Sequence, residues 1–360
     1  MTQFVSLSSG SNGNCYYIGN ECAGILIDAG IGTRTIKKRL GEVGIPVERI
    51  RCVLVSHDHF DHIRSLGTFA ERFHKPVYAT APCIAAFNRH YCTRGYLGPG
   101  RCHELVPGEW MVIEADNPAD DVAEREGLAE LPGFCHAGVP DGAEVPGTRR
   151  GIYVLPFRVP HDATDTVGFF IDFFGETFTF LTDLGAVTDD AVLFASRSRH
   201  LIVEANYDPE MLRRGSYPPD LQQRIRSGHG HLANAQTSEL ILRALALSGA
   251  SGDRSGTALS GTFGDRSGDS LSGASGDRSG TALSRAEAAL GQKNPRSASA
   301  PSDGVTVVQD VFLCHLSENN NTPELALATV SAALASAPHG TGINLFALPR
   351  HEHSPLFTWQ

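Results

Sequence analysis

The segment RCVLVSHDHFDH, residues 51–62, constrains this chain more than any other. Its aliphatic, β-branched start reads as a buried strand. The strand runs directly into three histidines and two aspartates within six residues. Side chains two apart on an extended segment share a face, so His57 and His59 point the same way. Asp61 and His62 arrive at the entry to the next helix and address a neighbouring point. A lone surface histidine needs no explanation. Five such groups at the end of a buried strand would be costly to assemble unless a cation held them. The segment predicts a metal centre at the edge of a sheet.

The same arrangement recurs along the chain. FVSLSS and CYYIGN read as strands joined by a Gly/Asn turn, and GILIDAG as a buried strand ending at Asp28. TRTIKKRLGEVG reads as a helix capped by Thr33 and stopped by Gly44. IRSLGTFAERF is the helix expected after the histidine cluster. KPVYAT and IYVLPFRV are strands, the second ending at His161. VGFFIDFFGETFTFLTD reads as a hairpin turning at Gly-Glu and ending at Asp183, and HLIVEAN as a strand ending near Glu204. ANAQTSELILRALALS is helical, VTVVQDVFLCHLS ends at His315, and PELALATVSAALASA is a final helix. Loops at strand ends, held by a rigid sheet, are where open sites are built. Strands in hairpins with helices between some of them imply a layered α+β or α/β domain containing two sheets.

Not all of the 360 residues belong to that domain. GDRSG recurs at 252, 264 and 276 within a 12-residue unit that offers few large apolar side chains. Such a repeat cannot bury enough surface to offset its ordering entropy, so 246–304 reads as a flexible insertion. The spacing and the missing apolar alternation argue against a calcium β-roll. Residues 114–150, with nine acidic and three basic side chains, read as an acidic loop insertion. They hold most of the chain's net charge of −10, so the acidity is local and does not exclude a polyanionic substrate. The expectation is a single domain over 1–360 carrying both insertions. No apolar run reaches the length of a membrane span, and the N-terminus lacks the pattern of a signal peptide. The eight cysteines are scattered without a Cys-x-x-Cys pair, which suits reduced, buried thiols and a cytoplasmic location.

The strand-end residues suggest an allocation of ligands. His57, His59 and His161 are assigned to one metal, Asp61, His62 and His315 to the other, with Asp183 and a water bridging them. Imidazole and carboxylate without thiolate suit two divalent ions, Zn²⁺ foremost, with Mn²⁺ or Fe as alternatives. Asp28 and Asp58 are cast as acceptors for the ligands' remaining N–H groups.

HxHxDH, with later His, Asp and His each following a strand, resembles the metallo-β-lactamase superfamily. The resemblance implies an αββα four-layer sandwich with a dinuclear site at one sheet edge. SLSSGSNGNCYYI, ILIDAG, EANYD, GHGHLAN and HLSENNNTPE are similar to the YycJ/WalJ-like branch, relatives of the ribonuclease Z and ribonuclease J type nucleases. That branch is associated with exonuclease activity on DNA, which implies a nucleic-acid substrate. The two insertions depart from its pattern.

Two divalent cations outweigh Asp61, Asp183 and a bridging hydroxide in charge, so the site attracts an anion. They activate the hydroxide for attack on a phosphodiester. The departing alkoxide still needs a proton. With five histidines assigned as ligands, His231 is left over, and Glu204 has no metal role. A Glu204-oriented His231 would serve as general acid, and the ribonuclease Z type carries a His–Glu pair in the corresponding segments. The competing reading is that His231 caps the helix beginning near Ala233. His229 reads as a turn residue. SGSNGN offers Ser11 and Asn14 as substrate contacts, or is an ordinary hairpin turn. Asn320 and Asn321 are polar contacts, or cap the last helix. The alternative functions are hydrolysis of a small anionic thioester or lactone, and a partner-binding protein with structural metals; protein partners are unknown.

Overall fold

The computed structural model describes residues 1–98, 100–113, 151–252, 308–337, 340 and 342–360. Its strands are β1 (Thr2–Ser8), β2 (Cys15–Gly19), β3 (Gly24–Ile27), β4 (Ile50–Leu54), β5 (Val77–Ala79), β6 (Cys102–Glu104) and β7 (Met111–Ile113). They continue with β8 (Ile152–Arg158), β9 (Val167–Phe173), β10 (Glu176–Leu181), β11 (His200–Glu204), β12 (Asp310–Cys314), β13 (Asn344–Ala347) and β14 (Phe357–Trp359). Two seven-stranded sheets result, ordered β14-β1-β2-β3-β4-β5-β6 and β13-β12-β11-β10-β9-β8-β7. Each is antiparallel at one side and parallel at the other: β3 to β6 are parallel in the first sheet, β10 to β13 in the second.

The helices are α1 (Thr33–Glu42), α2 (Phe60–Ile63), α3 (Leu66–Phe73), α4 (Ala81–Phe87), α5 (Asp189–Ala195), α6 (Pro209–Arg214), α7 (Pro219–Ile225), α8 (Asn234–Gly252) and α9 (Pro323–Ala335). Strand alternation sorts the side chains into layers. Phe4, Ile25, Ile27, Cys52 and Leu54 meet Phe169, Ile171, Phe178, Ile202 and Phe312 in one cluster between the sheets. Val5, Leu7, Leu26 and Val53 face the other way, onto Ile36, Leu40 and Phe69 of α1 and α3. Leu201, Val203, Val311 and Leu313 likewise pack on Phe194, Leu240 and Val330 of α5, α8 and α9. The order helix, sheet, sheet, helix is the expected four-layer α+β sandwich.

Several local expectations change. Thr33 does not cap α1: Gly32 occupies the N-cap with no side-chain bond, and Thr33 Oγ1 instead lies 2.7 Å from Thr68 Oγ1. The helix expected over 63–73 is broken at Ser65, whose N–H goes to Ala29 O at 2.9 Å rather than up a helical ladder. The β9–β10 hairpin turns at Phe174-Gly175, not Gly-Glu, with φ of 51° and 95°. Both central residues of a tight twisted turn need positive φ, and the glycine is placed second. The segment expected to leave the fold at 246 is helical to Gly252; the remaining repeat and the 114–150 loop lie outside the described residues. Among the described residues no helix is long and apolar enough to cross a membrane.

Candidate active site

β8, β10, β11 and β12 run in one direction, as do β3 and β4, so their C-terminal ends gather at one edge of the sandwich. This is why the strand-end residues converge. His57 and Asp28 follow β4 and β3, His161 follows β8, and Asp183, Glu204 and His315 stand at the ends of β10, β11 and β12. Asp28 and His315 both adopt left-handed backbone, φ 60° and 50°, a conformation that non-glycine residues hold only under constraint.

Two groups of potential ligands form. In the first, atoms of His57, His59 and His161 lie within 4.8 Å of one another; in the second, atoms of Asp61, His62 and His315 do. Asp183 stands between them, with Oδ2 3.1 Å from His62 Nε2 and Oδ1 3.1 Å from His315 Nδ1 and 3.8 Å from His161 Nε2. Four of the histidines share one arrangement. His57 Nδ1 is 3.0 Å from Ser56 Oγ, His62 Nδ1 2.7 Å from Asp28 Oδ2, His161 Nδ1 2.8 Å from Gly230 O, and His315 Nδ1 2.9 Å from Glu204 Oε1. An Nδ1–H on each ring would have a protein acceptor, leaving the Nε2 lone pair turned toward the centre, the tautomer a metal ligand requires. His57 Nε2 is buried with no hydrogen-bond partner at all. A buried nitrogen is not left so without cost, and a cation there would satisfy it. The residues fit a divalent metal pair.

Charge points the same way. Burial holds the His57 ring well below the usual imidazole range, followed by repulsion from His62, and burial lowers His161 too. Burial also opposes charge on His62 and His315. For His62 the carboxylates of Asp183 and Asp28 prevail and raise it; for His315 Asp183, Asp61 and Glu204 push it up to about 10. Asp61 and Asp183 stay well below the ordinary carboxylate range despite burial, through those same histidines. The carboxylates at this edge therefore favour positive charge beside them, on His62 and His315 or on a bound cation.

His231 is partly exposed, and its Nδ1 lies 2.6 Å from Glu204 Oε1. Its ring sits 5.0 Å from that of His161 and 5.3 Å from that of His315, so it overlooks both ligand groups. Burial would lower its pKa, but the Glu204 carboxylate raises it above the ordinary value. It does not cap α8, which starts at Asn234. Asp183, Glu204, His231 and His315 also lie close enough to hold an ion. Glu204 has no capacity left for one: Oε2 accepts from the N–H of Leu184 and of Leu232, and Oε1 faces both His231 and His315. The contact with His315 was not foreseen, since sequence separation hides that β11 and β12 are neighbours.

Other candidates fall differently. Asp58 serves no ligand N–H; it accepts from Thr164 N and Oγ1, at 3.0 and 2.6 Å, and lies 3.3 Å from His90 Nε2. It follows His57 by one residue, so its side chain leaves the opposite face of the chain. Asn320 and Asn321 are buried and make internal bonds: Asn321 Nδ2 reaches Ala205 O and Asn234 Oδ1, Asn320 Nδ2 reaches Ser317 Oγ, and Thr322 caps α9. They are not available to a substrate. Asn14 is also buried, with Nδ2 3.2 Å from Asp61 Oδ2 and 3.0 Å from His62 Nε2, so it positions ligands rather than meeting an outside molecule. Ser11 is exposed, and His229 lies in an exposed turn. Asp162, missed although it adjoins His161, lies 3.5 Å from that ring and is paired with Arg224 of α7. Gly30 permits the closest approach: a Cβ there would stand 1.6 Å from Asp61 O.

A two-sheet sandwich with such a centre at one edge defines a class of metal-dependent hydrolases. The chain belongs to the metallo-beta-lactamase superfamily, whose sequence profile matches residues 9–203. It is 28% identical over 239 residues to exodeoxyribonuclease WalJ of Streptococcus pneumoniae, covering 66% of this chain and 75% of that protein. It is 27% identical over 231 residues to exodeoxyribonuclease YycJ of Bacillus anthracis, covering 64% and 73%. The metallo-beta-lactamase fold protein YhfI of Bacillus subtilis superposes with a TM-score of 0.53 at 12% identity, over 99% of this chain and 100% of YhfI. That likeness concerns the fold.

Proposed function

We propose that this metallohydrolase is a dinuclear phosphodiesterase, an exonuclease acting on DNA. The observation that carries the reading is the His231–Glu204 contact of 2.6 Å beside the two ligand groups. A phosphodiester has a poor leaving group, and a positioned proton donor is what its cleavage demands beyond an activated water. A bound metal pair would supply that water and neutralise charge on the phosphoryl oxygens, with Zn²⁺ the ion best suited to the donor set. His57, His59 and His161 would hold one ion, Asp61, His62 and His315 the other, and Asp183 would bridge. Asp28, Ser56 and the carbonyl of Gly230 fix the rings. His231 holds a proton at Nε2 for the departing sugar oxygen, and Glu204 orients it through Nδ1. The names of the two bacterial relatives favour DNA over RNA. The seven free cysteines among the described residues suit a reducing compartment such as the cytoplasm.

The test is a substrate panel on the protein loaded with Zn²⁺ or Mn²⁺: 5′-phosphorylated single-stranded and duplex DNA, RNA, and a thioester. Stepwise release of nucleotides from DNA supports the proposal. Thioester turnover without phosphodiester cleavage under either metal would overturn it.

A further inference from the structure

Among the described residues only two phenylalanine, tyrosine or tryptophan side chains are exposed, Phe60 at 42% and Tyr91 at 74%. They are far apart in sequence yet their rings lie against each other, tilted by 34° with centroids 5.6 Å apart. Single exposed aromatics are ordinary, but two exposed rings in contact outside any core are not. Phe60 stands between two of the residues assigned to hold metal, His59 and Asp61. The loop carrying Tyr91 is tied to the same place, because His90 Nε2 lies 3.3 Å from Asp58 Oδ2 and Asp58 also accepts from Thr164 beyond His161. The pair is therefore fixed at the border of the site.

One arginine stands against the pair, and two more are close to it in sequence. Arg64, one helical turn beyond Phe60, places its guanidinium carbon 5.7 Å from the Phe60 ring centre. Arg89 and Arg94 flank Tyr91 in sequence and are exposed. Flat aromatic faces interleaved with arginines are the means by which proteins hold unpaired nucleotides: bases stack on the rings, and the cations follow the phosphates. We infer that Phe60 and Tyr91 form a platform for the unpaired terminal base of a DNA strand entering the site. Arg64, Arg89 and Arg94 lie along its backbone. The inference rests on the nuclease reading and narrows its substrate to an end whose base is unstacked. Because every base presents a flat face, the platform confers a preference for frayed or single-stranded ends without sequence specificity.

The metal-loaded protein can be tested with single-stranded phosphorothioate oligonucleotides carrying 2-aminopurine at the 5′ or the 3′ end. Stacking should quench the fluorophore at one of the two ends. Tyr91→Phe should retain the quench. Tyr91→Ala should abolish it and weaken binding about 5- to 100-fold, the usual loss for one stacked base. An oligonucleotide abasic at that end should bind the wild type and Tyr91→Ala equally. Equal affinity of Tyr91→Ala and wild type for the base-bearing oligonucleotide overturns the platform, as does an equal loss on base-bearing and abasic ends. If the wild type degrades DNA while either result is found, the platform fails and the nuclease reading stands. If it neither binds nor degrades DNA, both fail.

Discussion

Glu204 Oε1 lies 2.6 Å from His231 Nδ1, and the same oxygen lies 2.9 Å from Nδ1 of His315. One buried carboxylate thus orients both the proposed proton donor and a proposed metal ligand. Its other oxygen is held by two backbone N–H groups, so it has little freedom to turn. Sheet pairing of β11 with β12 sets this spacing, since Glu204 and Cys314 are partners in register.

Substituting Glu204 should therefore have two effects. A glutamine offers one acceptor oxygen where both are used: with its carbonyl toward the two rings its NH2 meets the N–H groups of Leu184 and Leu232, and turned over its NH2 meets the rings. In Glu204→Gln metal affinity should fall about 10- to 100-fold, the usual loss for a disrupted ligand partner. The nuclease rate at saturating metal should fall as well. Isothermal titration with Zn²⁺ together with rate measurements checks this; unchanged metal affinity would show that the contact with His315 is incidental.

Gly30 should tolerate no side chain. A Cβ would stand 1.6 Å from Asp61 O and 2.6 Å from Asn14 N. Both neighbours are backbone, so relief requires moving the loop that carries Asp61 and His62. Gly30→Ala should cost about 3 kcal/mol, as severe overpacking does, and should reduce bound metal. Denaturant unfolding and metal analysis of the purified variant provide the check, and wild-type values for both would contradict the packing described.

Much of the site was legible because chemistry and topology coincide. Parallel strands bring their C-terminal ends to one edge, so His57, His161, Asp183, Glu204 and His315, each singled out by its place after a strand, are brought together. What the sequence hid was direction around each residue. Asp58 looks like part of the cluster, but alternation turns it onto Thr164 and His90. Asn320 and Asn321 look like surface polar contacts, but they are buried against Ala205, Ser317 and Asn234. Short edge strands such as β6, β13 and β14 carry too few residues for periodicity to register. Ser65 breaks a helix through a hydrogen bond to Ala29, a residue distant in sequence.

Removing metal should destabilise the fold, because Asp183, His57, His62, His161 and His315 are buried and would lose the cations that hold them together. A ligand at a thousandfold excess over its dissociation constant stabilises by about 4 kcal/mol. In a domain of this size that is a shift in melting temperature on the order of 10 °C. Differential scanning calorimetry of chelated and reconstituted protein reads it directly, and coincident melting curves would argue against a metal pair bound at this edge.

Thiol reactivity should follow burial. Cys22 is exposed, whereas Cys15, Cys52 and Cys314 are buried, and burial pushes their thiols up, away from the reactive thiolate. Brief alkylation followed by peptide mass spectrometry should label Cys22 and spare the other three until denaturant is added. Rapid labelling of Cys314 in the native protein would contradict the inter-sheet core.

The central claim is that His231 gives a proton to the leaving oxygen, and it is tested most directly by comparing leaving groups in His231→Ala. Hydrolysis of DNA, which expels a sugar alkoxide, should fall about 10²-fold or more, the usual size of a general-acid contribution. Hydrolysis of a bis(p-nitrophenyl) phosphodiester, whose phenolate needs no proton, should fall far less, with bound metal unchanged. Equal losses on the two substrates, or loss of metal from the variant, would contradict the account.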